Sequence, residues 1–479
     1  MLLSVITLLA TSTGALAAQK KSAQAWTSTA DGRYKLSSYN APTLGGSNPG
    51  LQEWEFTIKE SSRKQEVKGF GAAVTDATVM AFNKLSKDLR SQVLKDIMTD
   101  SGLNFNLMRH TIGSSDLSAD PAYTYDDNGG KADTDFRGFG LGDRGEAMVQ
   151  MLKDMKSLQS NMTLLGSPWA PPAWMQLDHT LTGTTENNNL DHQYADSFGK
   201  FFARYIQEYE KRGVAIDSIT IQNEPLNSRA GMPTMYIVAD ESGKLIRDNV
   251  GPALRDANLN TTIWAWDHNT DHYDYPQTVF NIAGDYVKTA AWHCYGGFDN
   301  EMDRYKPMTR FHDEFPDSEQ YMTECWTAKG TTQWKDTSSW NMLPLQNWGN
   351  GIIAWTLGSY SSGGPALSGG SACSICTGLI TVDPNAGTYT KEVDYYMMGQ
   401  FSRFMPRGGH VVDGTGSYLF NGDEGMLSVA SINPDGTRTV VIQNRYNNDI
   451  FARVHSEKDG AEWDGRVPGH STTTWILPA

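Results

Sequence analysis

Between Val67 and Gly358 short apolar runs alternate with longer stretches of helical spacing. The runs are Lys68–Val74, Phe105–Ile112, Met162–Pro168, Ser218–Asn223, Thr262–Asp267, Thr289–Tyr295, Gln320–Thr323 and Gly351–Thr356, each of strand length and most rich in β-branched or aromatic residues. Apolar positions recur at helical intervals over Ala77–Thr99, Arg144–Gln159, His192–Arg212 and Met235–Ala257. Such alternation predicts an α/β protein with a parallel sheet, and eight strands predict a closed (β/α)8 TIM barrel. A doubly wound open sheet is the alternative that the same pattern allows.

The pattern differs at both ends. Before the barrel only Leu51–Ile58 alternates as a strand with one buried face. After Gly358 come a long Ser/Gly/Cys loop, a helical stretch over Glu392–Phe404, and short alternating runs at Met426–Ile432, Thr439–Gln443 and His470–Leu477. A lone strand is unstable, so Leu51–Ile58 is expected to join the C-terminal strands in one flanking β-sandwich, with residues 18–62 and 407–479 as side domain and 63–406 as barrel. Residues 1–17 read as a secretory signal: Leu2–Ala10 is apolar and Ala15-Leu16-Ala17 has small residues at the cleavage positions. The expected location is extracellular, which suits the glycan-acceptor triplets at Asn161 and Asn260.

Composition narrows the partners. The 479 residues carry a formal charge of −15 with no Lys/Arg block, which argues against nucleic acid and anionic membrane surfaces, and no run past the leader is long enough to span a bilayer. Fourteen Trp and twenty Tyr suit polyhydroxylated ligands, whose apolar ring faces stack on aromatic side chains, although large cores also consume such residues. Of the four cysteines, Cys373 and Cys376 are expected to form a local bridge, and Cys294 and Cys325 to be buried free thiols.

In a barrel of this kind the reactive groups gather at the carboxyl ends of the strands. Those positions hold Asp76, Arg109 with His110, Trp169, Asn223 with Glu224, Asp267 with His268, His293 with Tyr295, Glu324 with Trp326, and Trp355. Among the motifs of the chain there is no Cys/His metal spacing, Gly-x-Ser-x-Gly elbow or phosphate-cradling loop, so neither metal nor cofactor is expected. Two carboxylates facing one another suit glycosidic bond cleavage, which needs one acid for the leaving oxygen and one carboxylate at the oxocarbenium-like centre. Glu224 and Glu324 end the fourth and seventh strands, across the mouth from each other, compatible with the separation of about 5 Å that retaining enzymes use. Glu224 is then expected to have a raised pKa as the acid, and Glu324 to be kept ionised by Arg109 and the Tyr295 hydroxyl. Asn223 suits a sugar 2-hydroxyl, Trp326 an aromatic wall, and His293 either a substrate contact or a core position; Asp76 either caps the helix beginning near Ala77 or binds sugar.

Seven segments, in order, resemble glycoside hydrolase family 30: Gly69-Phe70-Gly71-Ala72-Ala73-Val74-Thr75-Asp76-Ala77, Leu107-Met108-Arg109, Ser167-Pro168-Trp169-Ala170-Pro171-Pro172, Asn223-Glu224-Pro225, Trp292-His293-Cys294-Tyr295, Thr323-Glu324-Cys325, and Phe401-Ser402-Arg403-Phe404 with Pro406. The resemblance covers essentially the whole chain after the leader. It implies a retaining mechanism with Glu224 as acid/base and Glu324 as nucleophile, and Asp76, Trp169, Asn223 and Trp355 lining the subsite of the cleaved sugar. Within the family the chain is most similar to secreted fungal enzymes that cut β-1,6-glucan internally, which implies a β-linked glucan as partner; a monomer is expected. An exo-acting β-glucosidase or glucosylceramidase, a xylanase, and an inactive glycan-binding barrel are the alternatives. At Cys294 the sequence departs from the glucosylceramidase members, which carry tryptophan there.

Overall fold

The computed structural model of the chain describes residues 22–183, 188–227, 230–369, 373, 375–414, 416–420 and 424–479. The expected leader, residues 1–17, lies outside them.

Eight parallel strands close on themselves: β1 (Gly69–Val74), β2 (Leu107–Ile112), β3 (Thr163–Pro168), β4 (Ser218–Thr220), β5 (Thr262–Asn269), β6 (Val287–His293), β7 (Glu319–Glu324) and β8 (Gly351–Ala354). Closure is made by β8 pairing with β1, from Gly351 opposite Gly69 to Ala354 opposite Ala72, which excludes the open sheet. The glycines of β1 are required by this packing: a Cβ on Gly71 would stand 1.6 Å from the Leu107 carbonyl oxygen. The fourth strand is shorter than its sequence suggests. Beyond Thr220 the chain leaves the ladder, and the Asn223 and Glu224 amides donate instead to the carbonyls of Pro168 (2.7 Å) and Asp267 (3.0 Å).

The barrel interior is layered, because side chains two apart on a strand share a face. Leu107, Leu165, Trp264, Ala291, Tyr321 and Ile353 make an apolar plug, in which the Trp264 and Tyr321 rings stack 4.2 Å apart. Two residues further along their strands come Arg109, Ser167, His293 and Thr323, joined by Thr220 and Asp267, all fully buried and polar. Asp267 joins this layer through an irregularity in β5. Its register against β6 shifts at Trp292, and Trp266 and Asp267 adopt left-handed φ of 84° and 63°, so that Trp266 packs outward on Tyr275 while Asp267 turns in.

Two predicted helices are interrupted. The stretch from Ala77 splits into helices Asp76–Phe82 and Lys87–Met98, the second capped by Ser86, whose Oγ accepts from the Leu89 amide at 3.3 Å. The stretch from Met235 becomes Ala239–Leu245, a π-turn at Ile246–Val250, and Gly251–Asp256.

The sandwich draws four strands from before the barrel rather than one: Gln24–Thr29, Ser37–Tyr39, Thr43–Leu44 and Gln52–Glu66. The last of these pairs in parallel with Ile450–Ser456 along its first half and antiparallel with His410–Gly414 along its second, linking the two halves of the sheet around Phe56, Ile58, Val440, Ile442, Val454 and Trp475. It runs past the expected boundary at residue 62. Its second half is polar because it binds the barrel: Lys64 Nζ donates to the Gln346 carbonyl (2.6 Å) and Gln65 Nε2 to the Leu345 carbonyl (2.7 Å), at the end of helix Gln333–Gln346. The expected Ser/Gly/Cys loop also contains structure, a three-stranded sheet of Gly358–Tyr360, Ile380–Asp383 and Thr388–Lys391.

Candidate active site

The carboxyl ends of the strands surround a cavity of about 520 Å³ whose walls include Trp169, Asn223, Glu224, Tyr295, Glu324, Trp326 and Trp355. Glu224 reaches it from a left-handed backbone position, φ 47°, and non-glycine residues in that region cost about 1–3 kcal/mol that the surrounding structure must offset. A carboxylate oxygen of Glu224, one of Glu324 and a ring nitrogen of His293 lie within 4.8 Å of one another. That places the carboxyls near the retaining separation of about 5 Å and well short of the roughly 6.5–9.5 Å of inverting sites.

Beneath the glutamates the polar layer forms one network. Arg109 donates through Nη1 to Glu324 Oε2 (2.6 Å), through Nη2 to Asn223 Oδ1 (2.7 Å) and Asp267 Oδ2 (2.9 Å), and through Nε to Ser167 Oγ (3.3 Å). Asp267 also accepts from the hydroxyls of Ser167, Thr220 and Thr323, and pairs through Oδ1 with His293 Nε2 at 2.9 Å. His293 Nδ1 in turn lies 3.0 Å from Glu224 Oε1, and Asn227 Nδ2 donates to Glu224 Oε2 at 2.6 Å. Every member is satisfied, the condition under which a buried ionic cluster is tolerated.

The charges follow from this wiring. Burial pushes Asp267 up, but the Arg109 guanidinium and the His293 hydrogen bond hold it far below the usual carboxylate range. Burial pushes His293 down, but the charges of Glu324, Asp267 and Glu224 raise it to about 9, so the ring carries two protons and donates to both acids. Glu224 is lowered: burial opposes ionisation, but His268, His293 and Asn227 outweigh it. Glu324 is raised by burial and by the charge of Glu224, against His293 and Arg109. The expected raised pKa of Glu224 is therefore not found in the resting arrangement; the proton the acid needs sits on His293, one hydrogen bond away. The spacing of Glu224, His293 and Glu324 is one a metal ion accepts, yet with Nδ1 protonated and Arg109 on Glu324 the trio offers a cation little free lone-pair density.

Most expected contacts reach the cavity, and three do not. Trp169 and Trp355 form one wall, ring centroids 5.1 Å apart, with the Arg109 guanidinium 5.0 and 5.8 Å from the two rings. The Tyr295 hydroxyl faces Glu324, and burial together with the charges of both glutamates keeps its proton firmly bound. Arg109 and His293, expected to touch substrate, lie below the floor, fully buried, because their strand positions point to the barrel axis one layer beneath the mouth. Asp76 is outside the lining altogether: Arg144 and the Tyr123 hydroxyl hold its carboxylate, and Thr75 rather than Asp76 caps the helix. His110 turns away from the axis to bond Tyr205.

Sequence reasoning missed Asp116 as a lining residue. It sits in the loop after β2, is 8% exposed, and its buried Oδ1 has no hydrogen-bond partner among the described residues; burial and the charges of both glutamates raise its pKa to about 7. It can therefore offer a sugar hydroxyl either a donor or an acceptor near neutral pH. Asn227, also in the lining, was missed too, whereas His268, one of the strand-end candidates, does line the cavity. The Cys373–Cys376 bridge forms as expected and lines the same wall. Cys294 and Cys325 are not free thiols: they are joined, Cα atoms 5.5 Å apart, because adjacent strands β6 and β7 end side by side.

A barrel with two glutamates so placed defines a glycoside hydrolase site, and the chain belongs to glycosyl hydrolase family 30. The family's TIM-barrel domain matches residues 67–405 and its β-sandwich domain residues 414–475. Over 461 residues the chain is 54% identical to an endo-1,6-β-D-glucanase of Neurospora crassa, covering 95% of each, and over 473 residues 52% identical to one of Aspergillus fumigatus, covering 96% of this chain and 95% of the other. The lysosomal acid glucosylceramidase of Mus musculus is 25% identical over 452 residues, 88% of this chain and 83% of the other. Among solved structures, SrfJ from Salmonella typhimurium superposes with a TM-score of 0.84 at 20% identity, over 95% of this chain and 99% of that one. The catalytic domain of xylanase C from Talaromyces cellulolyticus superposes at 0.67 and 16%, over 89% and 100%.

Proposed function

We propose that this chain is a retaining endo-β-1,6-glucanase in which Glu324 is the nucleophile and Glu224 the general acid/base. The observation that carries the mechanism is the approach of the two carboxylates within 4.8 Å around His293. The linkage is supported by identity above 50% with the fungal β-1,6-glucanases over nearly the full length of both partners.

In the first step Glu324, aligned by Arg109 and facing the Tyr295 hydroxyl, attacks the anomeric carbon while Glu224 protonates the leaving oxygen. Shifting the shared proton from His293 Nδ1 to Glu224 Oε1 leaves a neutral ring still held by Asp267. Once Glu324 is an ester its charge is gone, Glu224 becomes the more acidic group, and as a carboxylate it takes a proton from the water that releases the sugar. Arg109 occupies the Asn223 oxygen, which leaves the Asn223 amide NH2 to hold the sugar 2-hydroxyl. Trp169 and Trp355 supply the apolar wall for that ring.

The protein acts outside the cell in this reading. The apolar leader and two disulfides support an oxidising export route, and among the described residues no helix is long and apolar enough to cross a membrane. Asn161 and Asn260 are exposed and lie just before β3 and β5, at the barrel end opposite the cavity, so glycans there would leave the mouth clear.

The test is hydrolysis of β-1,6-glucan and xylan side by side. Mixed oligomers from the glucan and no release from xylan are expected. Glucose alone would indicate exo action, and preference for xylan would overturn the linkage assignment.

A further inference from the structure

A second cavity of about 490 Å³ adjoins the first and shares Tyr295 and Trp326 with it. Its other walls come from the segments following β6 and β7, with Glu301, Arg304, Asp336 and Trp340 among them. Nothing in the catalytic scheme uses this space, yet it is built like a binding site: of a size typical of small-molecule pockets, with aromatic faces and a few converging polar groups. Two of its lining residues, Arg304 and Trp326, carry a buried nitrogen, Nε and Nε1, without a hydrogen-bond partner among the described residues. Its wall is braced from the side domain, since Arg445 donates to Glu301 (2.7 Å) and to Ser339 of helix Gln333–Gln346.

We infer that this cavity is a further glucose subsite, taking the unit of β-1,6-glucan next to the ring that sits over the two glutamates. The inference rests on the proposed β-1,6-glucanase activity and gives it a structural basis for internal cleavage. A 1,6 linkage passes through an exocyclic CH2 and has one more rotatable bond than a 1,4 linkage, so successive rings readily turn relative to one another. A second pocket that shares a Tyr–Trp wall with the first suits such a chain. The exposed Tyr295 and the partly buried Trp326 offer ring faces, and the partly exposed side chains of Arg304 and Asp336 offer polar partners for sugar hydroxyls.

The test compares Arg304→Leu and Asp336→Asn with wild type on an aryl β-glucoside, which has no second sugar ring to hydrogen-bond the pocket, and on β-1,6-linked gluco-oligosaccharides of increasing length. The expected result for Arg304→Leu is an unchanged kcat/KM on the aryl glucoside, which also shows that the variant folds. Its kcat/KM on the longer oligomers should fall at least about tenfold, the size of losing one hydrogen bond from a charged donor. Asp336→Asn should show the same length dependence with a smaller loss. Wild type active on the oligomers, with losses independent of length or absent in both variants, would overturn the subsite alone. A wild type inactive on every β-1,6-linked substrate would instead overturn the activity on which it rests, and the subsite with it.

Discussion

His293 Nδ1 lies 3.0 Å from Glu224 Oε1, and the same ring holds Asp267 Oδ1 at 2.9 Å through Nε2, so a single proton on His293 is shared with the acid/base. Its fate with pH follows. The folded pKa is raised to about 9, above the ordinary value near 6.5, because three carboxylates outweigh burial. The stability this contributes is fully present below about pH 6.5 and is lost as pH rises through about 9. Denaturation midpoints should therefore fall across that window in wild type and much less in His293→Gln. The alkaline limb of kcat/KM should also move in the variant, and a profile identical to wild type would separate His293 from the proton path.

Glu224→Gln should lower kcat by roughly 10²–10⁴-fold on glucan, the range for a lost general acid. An aryl glucoside with a good leaving group should be much less affected in its first, glycosylating step, because it needs little protonation. Glu324→Gln should remove turnover on both substrates while circular dichroism and melting temperature stay close to wild type, since Arg109 retains Asn223 and Asp267 as partners.

Arg109 hydrogen-bonds both Asp267 and Glu324 through its guanidinium. Arg109→Met would leave these acids buried without it, a loss of about 3–5 kcal/mol by analogy with broken buried ion pairs. Chemical denaturation reads this directly. Arg109→Lys should recover only part of it, because an ammonium cannot reproduce the forked contacts.

The barrel was legible because its strands are short apolar runs separated by long amphipathic helices, and each expected strand is found. The sandwich was legible only in part. Gln52–Glu66 loses its alternation after Ile58 where Lys64 and Gln65 bind the end of a barrel helix, and polar contacts of that kind look like loop in a sequence. In the site, strand-end position picked out Glu224, Glu324, Asn223 and the tryptophans. It also picked out Arg109 and His293, but depth along the barrel axis is set by strand register, which sequence does not give, and they proved to lie one layer down. Asp267 stood at a strand end too, but its role as the hub depends on a bulge that no residue pattern announces. Asp116 lies in a loop, where position along the chain says nothing about which wall it joins.

The Cys294–Cys325 bridge closes a sequence separation of 31 between His293 and Glu324, each adjacent to one of its cysteines. Replacing both cysteines by serine should cost about 3–4 kcal/mol on the chain-entropy estimate for a loop of this length. Equilibrium unfolding of the double variant measures it, and an unchanged midpoint would show that strand pairing alone holds the two ends together.

The central claim is that the two glutamates work by double displacement on β-1,6-glucan. Following the anomeric protons by NMR in the first minutes of hydrolysis tests it most directly. Newly formed reducing ends should appear as the β-anomer and only later mutarotate; first appearance of the α-anomer would contradict double displacement, and with it the roles given to Glu224 and Glu324.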